Sequence, residues 1–239
     1  MITEIGFDAD DTLWHCENHF FETQARLEEI LEHHAPREEV EAKLHDTELA
    51  NVRLFGYGIK GFTLSMIETA VQISGGKITG EEVHEILMMG KAMLDAPVEL
   101  MPNVRTVLAS LQDKYRLTLI TKGDVLDQTN KIDKSGLGDF FDRIEVVQQK
   151  EVTNYRDVLD RHGIDAQHFL MIGNSIPSDV LPVLELGGWG VHVPYRHTAV
   201  FERHADDPAH DRFRRLESLS ELPGLLAEIR REMEHAAGR

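Results

Sequence analysis

The chain has 239 residues, of which 41% are hydrophobic and 28% charged. That length suits one large domain or a core carrying a smaller one, and the composition excludes wholesale disorder. Lys and Arg number 25 against 42 Asp and Glu, a net charge of −17, so no nucleic acid and no membrane surface is expected as a partner. The single Cys16 excludes an intrachain disulfide. No apolar run approaches the ~20 residues of a membrane span, and Met1 leads almost directly into a strand-like segment rather than a signal peptide. The expectation is a soluble, cytoplasmic protein, a monomer or homodimer.

Ile2–Phe7 reads as a short buried strand. From about Cys16 to Ala96 no strand pattern occurs. Phe20, Gln24, Leu27 and Leu31 mark a first helix there, and Pro36 opens a second with Val40, Leu44, Thr47 and Leu54 along one side. Phe62, Met66, Ala70 and Ile73 form a third stripe, closed by Gly75-Gly76. Thr79 with Glu82 makes a capping box for a fourth helix carrying Val83, Ile86, Leu87 and Leu94. Strand candidates then resume at Leu117–Thr121, Ile144–Val147, Phe169–Ile172, Gly190–Val193 and, more weakly, Phe213–Leu216. Helical stripes at Val104, Val107, Leu108, Leu111 and at Tyr155, Val158, Leu159, His162 separate them. Strands alternating with helices predict an α/β fold, a Rossmann-like parallel sheet with right-handed crossovers. The expected division is an α/β core of 1–15 and 97–239 with an all-helical domain, 16–96, inserted after the first strand.

In an open parallel sheet, ligands bind outside the carboxyl ends of the strands. After the first strand comes Asp8-Ala9-Asp10-Asp11-Thr12; after the second, Thr121, Lys122, Gly123 and Asp124. Lys150 follows the third, and Gly173-Asn174-Ser175-Ile176-Pro177-Ser178-Asp179 the fourth. Taken singly, each is a turn residue or a surface charge, and Asp179 could simply cap the next helix. Taken together, carboxylates, a hydroxyl, lysines and an Asn/Asp pair converge on one sheet edge.

This ordered set resembles the haloacid dehalogenase superfamily. Asp8-x-Asp10-x-Thr12 is similar to its first motif, Thr121 to the second, Lys150 to the third and Gly173-Asn174-Ser175-x-x-Ser178-Asp179 to the fourth. The helical insertion stands where the family carries its first-type cap. The resemblance implies a Mg²⁺-dependent phosphatase acting on a small phosphorylated metabolite. Asp8 would be the nucleophile that forms an aspartyl-phosphate, and Asp10 the acid that protonates the leaving oxygen. Asp8, the Asp10 carbonyl, Asn174 and Asp179 would hold the metal, while Thr121, Lys122 and Lys150 face the phosphoryl group. The fourth motif more often begins Gly-Asp, so Asn174 departs from the pattern. Retention of Asp10 separates the chain from the dehalogenases of this fold, whose halide leaves without a proton. A phosphomutase or phosphotransferase on the same residues, or a non-catalytic protein of the same fold, are the alternatives.

Gly56-Tyr57-Gly58-Ile59-Lys60-Gly61 spells the dinucleotide fingerprint but follows a helix, outside any βαβ unit, so no nicotinamide site is expected. It reads as a connection between cap helices, with Tyr57 and Lys60 as candidate substrate contacts. Thirteen histidines, His33-His34 among them, show no ligand spacing with acidic partners and read as solvated surface. Cys16 reads as a packing residue, and Trp14 as one packed at the hinge between domains.

Overall fold

The computed structural model describes residues 1–196 and 206–237. Six strands form one parallel sheet: β1 (Glu4–Phe7), β2 (Arg116–Lys122), β3 (Arg143–Val147), β4 (Phe169–Gly173), β5 (Trp189–His192) and β6 (Phe213–Arg215). Their order is β3-β2-β1-β4-β5-β6, that of doubly wound folds. The direction of winding reverses beside β1, and the crevice at such a reversal is where these sheets bind ligands.

Period-two alternation sorts the strand residues onto two faces. Ile5, Phe7, Leu117, Leu119, Leu170, Ile172 and Val191 share one buried cluster. It includes Val104 and Leu108 of α5 (Val104–Leu111) and Leu225 and Ile229 of α9 (Leu222–Ala237). Ile120, Phe169 and Met171 fall in another cluster, with Tyr155, Val158 and Leu159 of α7 (Val152–His162) and Val183 of α8 (Leu181–Glu185). Every strand expected from the sequence is present. A further helix, α6 (Val125–Ser135), follows β2.

The chain divides into two compact units, Met1–Glu17 with Val98–Lys122 and Lys131–Arg239, and Asn18–Pro97 with Gly123–Asn130. The second holds four helices in sequence: α1 (Glu17–Leu31, whose first residue belongs to the other unit), α2 (Arg37–Phe55), α3 (Ile59–Ile73) and α4 (Gly80–Asp95). Leu27, Leu31, Val40, Leu44, Phe62, Met66, Ala70 and Ile86 make its core. Two residues expected in that core are exposed. Leu54 is exposed, in the last turn of α2, and the buried stripe passes through Asn51, whose amide donates to Ser65 and Glu68 of α3. Leu87 is exposed as well, because Gly90 and Met93 continue the buried side of α4 from Ile86.

Gly90 is there for want of a side chain. A Cβ at 90 would fall 2.1 Å from Thr63 Oγ1 and 3.0 Å from Thr63 Cβ, and that hydroxyl is already committed to Ile59 O at 2.7 Å. Gly90→Ala gains about 1 kcal/mol of helix propensity but must push α3 and α4 apart, an overpacking cost of about 1–3 kcal/mol. The expected outcome is a thermal midpoint lowered by several degrees in a melting experiment. An unchanged or raised midpoint would show that the two helices yield freely.

Candidate active site

Asp8 follows the last residue of β1, and its amide still donates to Ile172 O of β4 at 2.9 Å. That pairing carries the backbone to the carboxyl edge of the sheet before it turns away. Asp8 Oδ2 accepts from the Thr12 hydroxyl at 2.8 Å, and Oδ1 from Lys150 Nζ at 2.5 Å. The same ammonium donates to Asp179 Oδ1 at 2.7 Å. All three side chains are buried. Burial works against the charge of Lys150, yet Asp179 and Asp8 together outweigh it and raise its pKa. Asp8 is raised by burial first, against the pull of Lys150, with Asp179 adding to the rise. One lysine therefore hydrogen-bonds two buried carboxylates.

The loop after β4 is shaped around Asp179. Its Oδ2 accepts the Ser175 amide at 3.0 Å, while Ser178 N donates to Ser175 Oγ at 3.1 Å. The carboxylate thus folds back over the strand end instead of facing solvent. A Cβ on Gly173 would fall 2.1 Å from Asp179 Oδ2, so no larger residue fits. The Asn174 amide oxygen lies 3.5 Å from the Thr12 hydroxyl that serves Asp8. Its backbone carbonyl meets His192 Nε2 at 3.0 Å. A carbonyl only accepts, so Nε2 carries the proton, and burial lowers the His192 pKa and favours this neutral form. Three hard oxygen donors (Asp8, Asn174 and Asp179), two of them carboxylates, suit a hard divalent cation.

Asp10, two residues beyond Asp8, is held by partners that sequence reasoning did not find. Trp14 Nε1 donates to its Oδ1 at 2.7 Å, and Lys131 Nζ reaches both carboxylate oxygens at 2.8 Å. Trp14 belongs to the core of the α/β unit and reaches Asp10 within its own turn. That turn includes Asp11 at φ 61°, a left-handed conformation that Asp tolerates better than most residues. The Asp11 carboxylate accepts the amides of Cys16 and Glu17 at 2.8 and 3.1 Å, so it is a structural clamp. Cys16 is pushed up by burial and then by Asp10, which leaves it an inert thiol.

Thr121 is buried near the end of β2, paired in register with Val146. Lys122 Nζ donates to Ser178 Oγ at 3.1 Å. Burial, with Lys150 nearby, lowers its pKa to about 8. In the helical unit only residues 56–58 form the connection between helices. Gly56 and Gly58 turn it at φ 74° and 114°, and Ile59, Lys60 and Gly61 already lie in the first turn of α3. Lys60 Nζ pairs with Asp124 at 2.8 Å, and that bond is the first cause of a lowered Asp124 pKa.

The haloacid dehalogenase-like hydrolase family matches residues 5–187, and the chain belongs to that family. A family hydrolase from Xanthomonas campestris is 40% identical, with a TM-score of 0.86 over 100% of this chain and 94% of its own. A glyceraldehyde 3-phosphate phosphatase of Methanothermobacter thermautotrophicus is 26% identical over 78% of this chain and 83% of its own length. Another so named, from Pyrococcus abyssi, is 32% identical over 36% of this chain, the match spanning 39% of that protein. Among the described residues no helix is long and apolar enough to cross a membrane.

Proposed function

We propose that the chain is a Mg²⁺-dependent phosphatase that hydrolyses a small phosphorylated metabolite through an aspartyl-phosphate, with 1–15 and 97–239 as catalytic core and 16–96 as cap. The observation that carries this reading is the sharing of Lys150 by Asp8 and Asp179, with a second carboxylate, Asp10, on the same loop as Asp8. The two relatives named as phosphatases support it.

Asp8 Oδ attacks phosphorus in line, the ester P–O bond breaks, and the departing oxygen takes a proton from Asp10. Asp10 then removes a proton from water as that water displaces Asp8 from phosphorus, which restores both carboxyl groups and releases phosphate. Asp8, the Asp10 carbonyl, Asn174 and Asp179 would hold the metal, whose positive charge offsets that of the phosphoryl oxygens and carboxylates. Thr121 donates to a phosphoryl oxygen, and Lys122 and Lys150 supply the remaining positive charge. Tyr57 and Lys60 are the proposed cap contacts. Exposed ion pairs contribute at most about 1 kcal/mol, so exchanging Asp124 for a substrate anion costs Lys60 little.

The direct test is phosphate release, with Mg²⁺, from a panel of phosphorylated sugars, organic acids and nucleotides that includes glyceraldehyde 3-phosphate. Release from at least one member above the uncatalysed rate is expected. No release from any would overturn the reading.

The lowered pKa of Lys122 adds a pH dependence. Below about 8 the side chain is charged and attracts the phosphoryl group; above it the proton and the attraction are lost. The expected kcat/KM therefore falls as pH rises through this region. Lys122→Arg keeps its charge throughout and should flatten that limb, whatever it does to the maximum. A limb of the same shape in both proteins would assign it to another group.

A further inference from the structure

The helical unit contains a cluster that the proposed chemistry does not use. Beyond Leu31 the chain turns, with His34 N donating to Leu31 O at 2.8 Å. The rings of His33 and His34 come together there, their centroids 4.0 Å apart. Glu32 adjoins the pair and Glu29, four residues before His33, is taken up by Arg26, but the fold brings another carboxylate. Glu82, in the first turn of α4, is fixed by the capping box expected for that helix: its Oε2 accepts Thr79 N and Thr79 Oγ1, each at 2.7 Å. The other oxygen, Oε1, is left 3.3 Å from His33 Nε2. One ligating atom from each of His33, His34 and Glu82 lies within 4.8 Å of the other two.

The His33–Glu82 distance fits an ion. Two ligands bound tetrahedrally to Zn²⁺ at 2.0–2.2 Å stand about 3.4 Å apart, close to the His33–Glu82 separation. Two imidazoles with one carboxylate select borderline transition metals over Mg²⁺ or Ca²⁺. The hydrogen bonds that Thr79 gives to Glu82 are of the kind that orient a metal-binding carboxylate. His34 Nε2 is buried and has no hydrogen-bond partner among the described residues, so that ring is not saturated by the protein. The pair also follows the carboxyl end of α1, where the helix dipole favours a cation, and the charge of Glu82 offsets the opposite tendency at the amino end of α4.

We propose that His33, His34 and Glu82 form a binding site for a divalent transition-metal ion of the Zn²⁺ class, with the fourth position open to water or an external ligand. The bound ion ties the end of α1 to the start of α4. It differs from the proposed catalytic metal in donor chemistry, nitrogen and carboxylate against oxygen alone.

The test uses the full chain, stripped with chelator and titrated calorimetrically with Zn²⁺ in excess Mg²⁺, which competes at hard oxygen sites. Wild type should bind one Zn²⁺ that both His33→Ala and His34→Ala weaken by roughly 10-fold or more, in the range seen when a metal site loses a supporting group. Visible absorption of the Co²⁺-loaded protein should show a low-symmetry nitrogen-oxygen site in wild type and lose it in the double variant. Helical circular dichroism of the metal-free variants checks folding, since His33 is exposed and His34 only half-buried. Failure of wild type to bind Zn²⁺, or equal binding by the double variant, would overturn the site. The readout is metal bound, not phosphate released, so this proposal and the phosphatase reading fail separately.

Discussion

Asp8→Asn is expected to give a folded protein that releases no phosphate. The amide keeps the shape of the carboxylate, can still accept Lys150 through its oxygen, and can satisfy Thr12, whose hydroxyl also faces Asn174. It lacks only the nucleophilic charge. Stability should not suffer, because the substitution leaves Lys150 paired one to one with Asp179. Two buried carboxylates on one ammonium are costlier than one. Purified Asp8→Asn is to be assayed for phosphate release and melted beside wild type. Turnover above a few per cent of wild type would remove Asp8 from the nucleophile's role. A collapse of the melting transition would show instead that its charge is needed for folding.

The Asp10→Asn variant should lose about 10²–10⁴-fold in kcat, the usual contribution of a positioned acid–base group. The loss should depend on the leaving group. An alkyl oxide departs poorly without a proton, whereas an aryl oxide is stable enough to leave with little help. Alkyl phosphates should therefore show the larger loss, and aryl phosphates a clearly smaller one. Equal losses on both would point to a structural part for Asp10, through its bonds to Lys131 and Trp14.

The strands were legible because each is a short apolar run ended by polar or glycine residues, and the candidate site because its members sit just past those ends. What escaped was of two kinds. Helix α6 has no apolar stripe to betray it: Val125 and Leu126 face solvent, and Ile132 is buried alongside the polar Asp127, Gln128 and Ser135. Pairings between distant residues were the other kind. Nothing local to Lys131 announces Asp10, and nothing local to His33 announces Glu82, because periodicity reports which side of an element is buried and not which element lies opposite. Leu54 and Leu87 show the same limit in reverse. Both repeat at helical spacing, yet each falls where the neighbouring helix offers no cover.

The central position of β1 has a consequence for the order in which the molecule can be made. Its backbone pairs on one side with Arg116–Leu119 and on the other with Phe169–Ile172. A ribosome that has delivered Ile5 and Phe7 must add more than a hundred residues before either edge of that strand finds a partner. The four helices of the other unit emerge meanwhile, and the contacts among α2, α3 and α4 are local enough to form early. Closing the sheet spans most of the chain, and such long closures slow folding. The carboxylate of Asp8 therefore waits for Lys150 and Asp179, and the site is among the last features to be assembled.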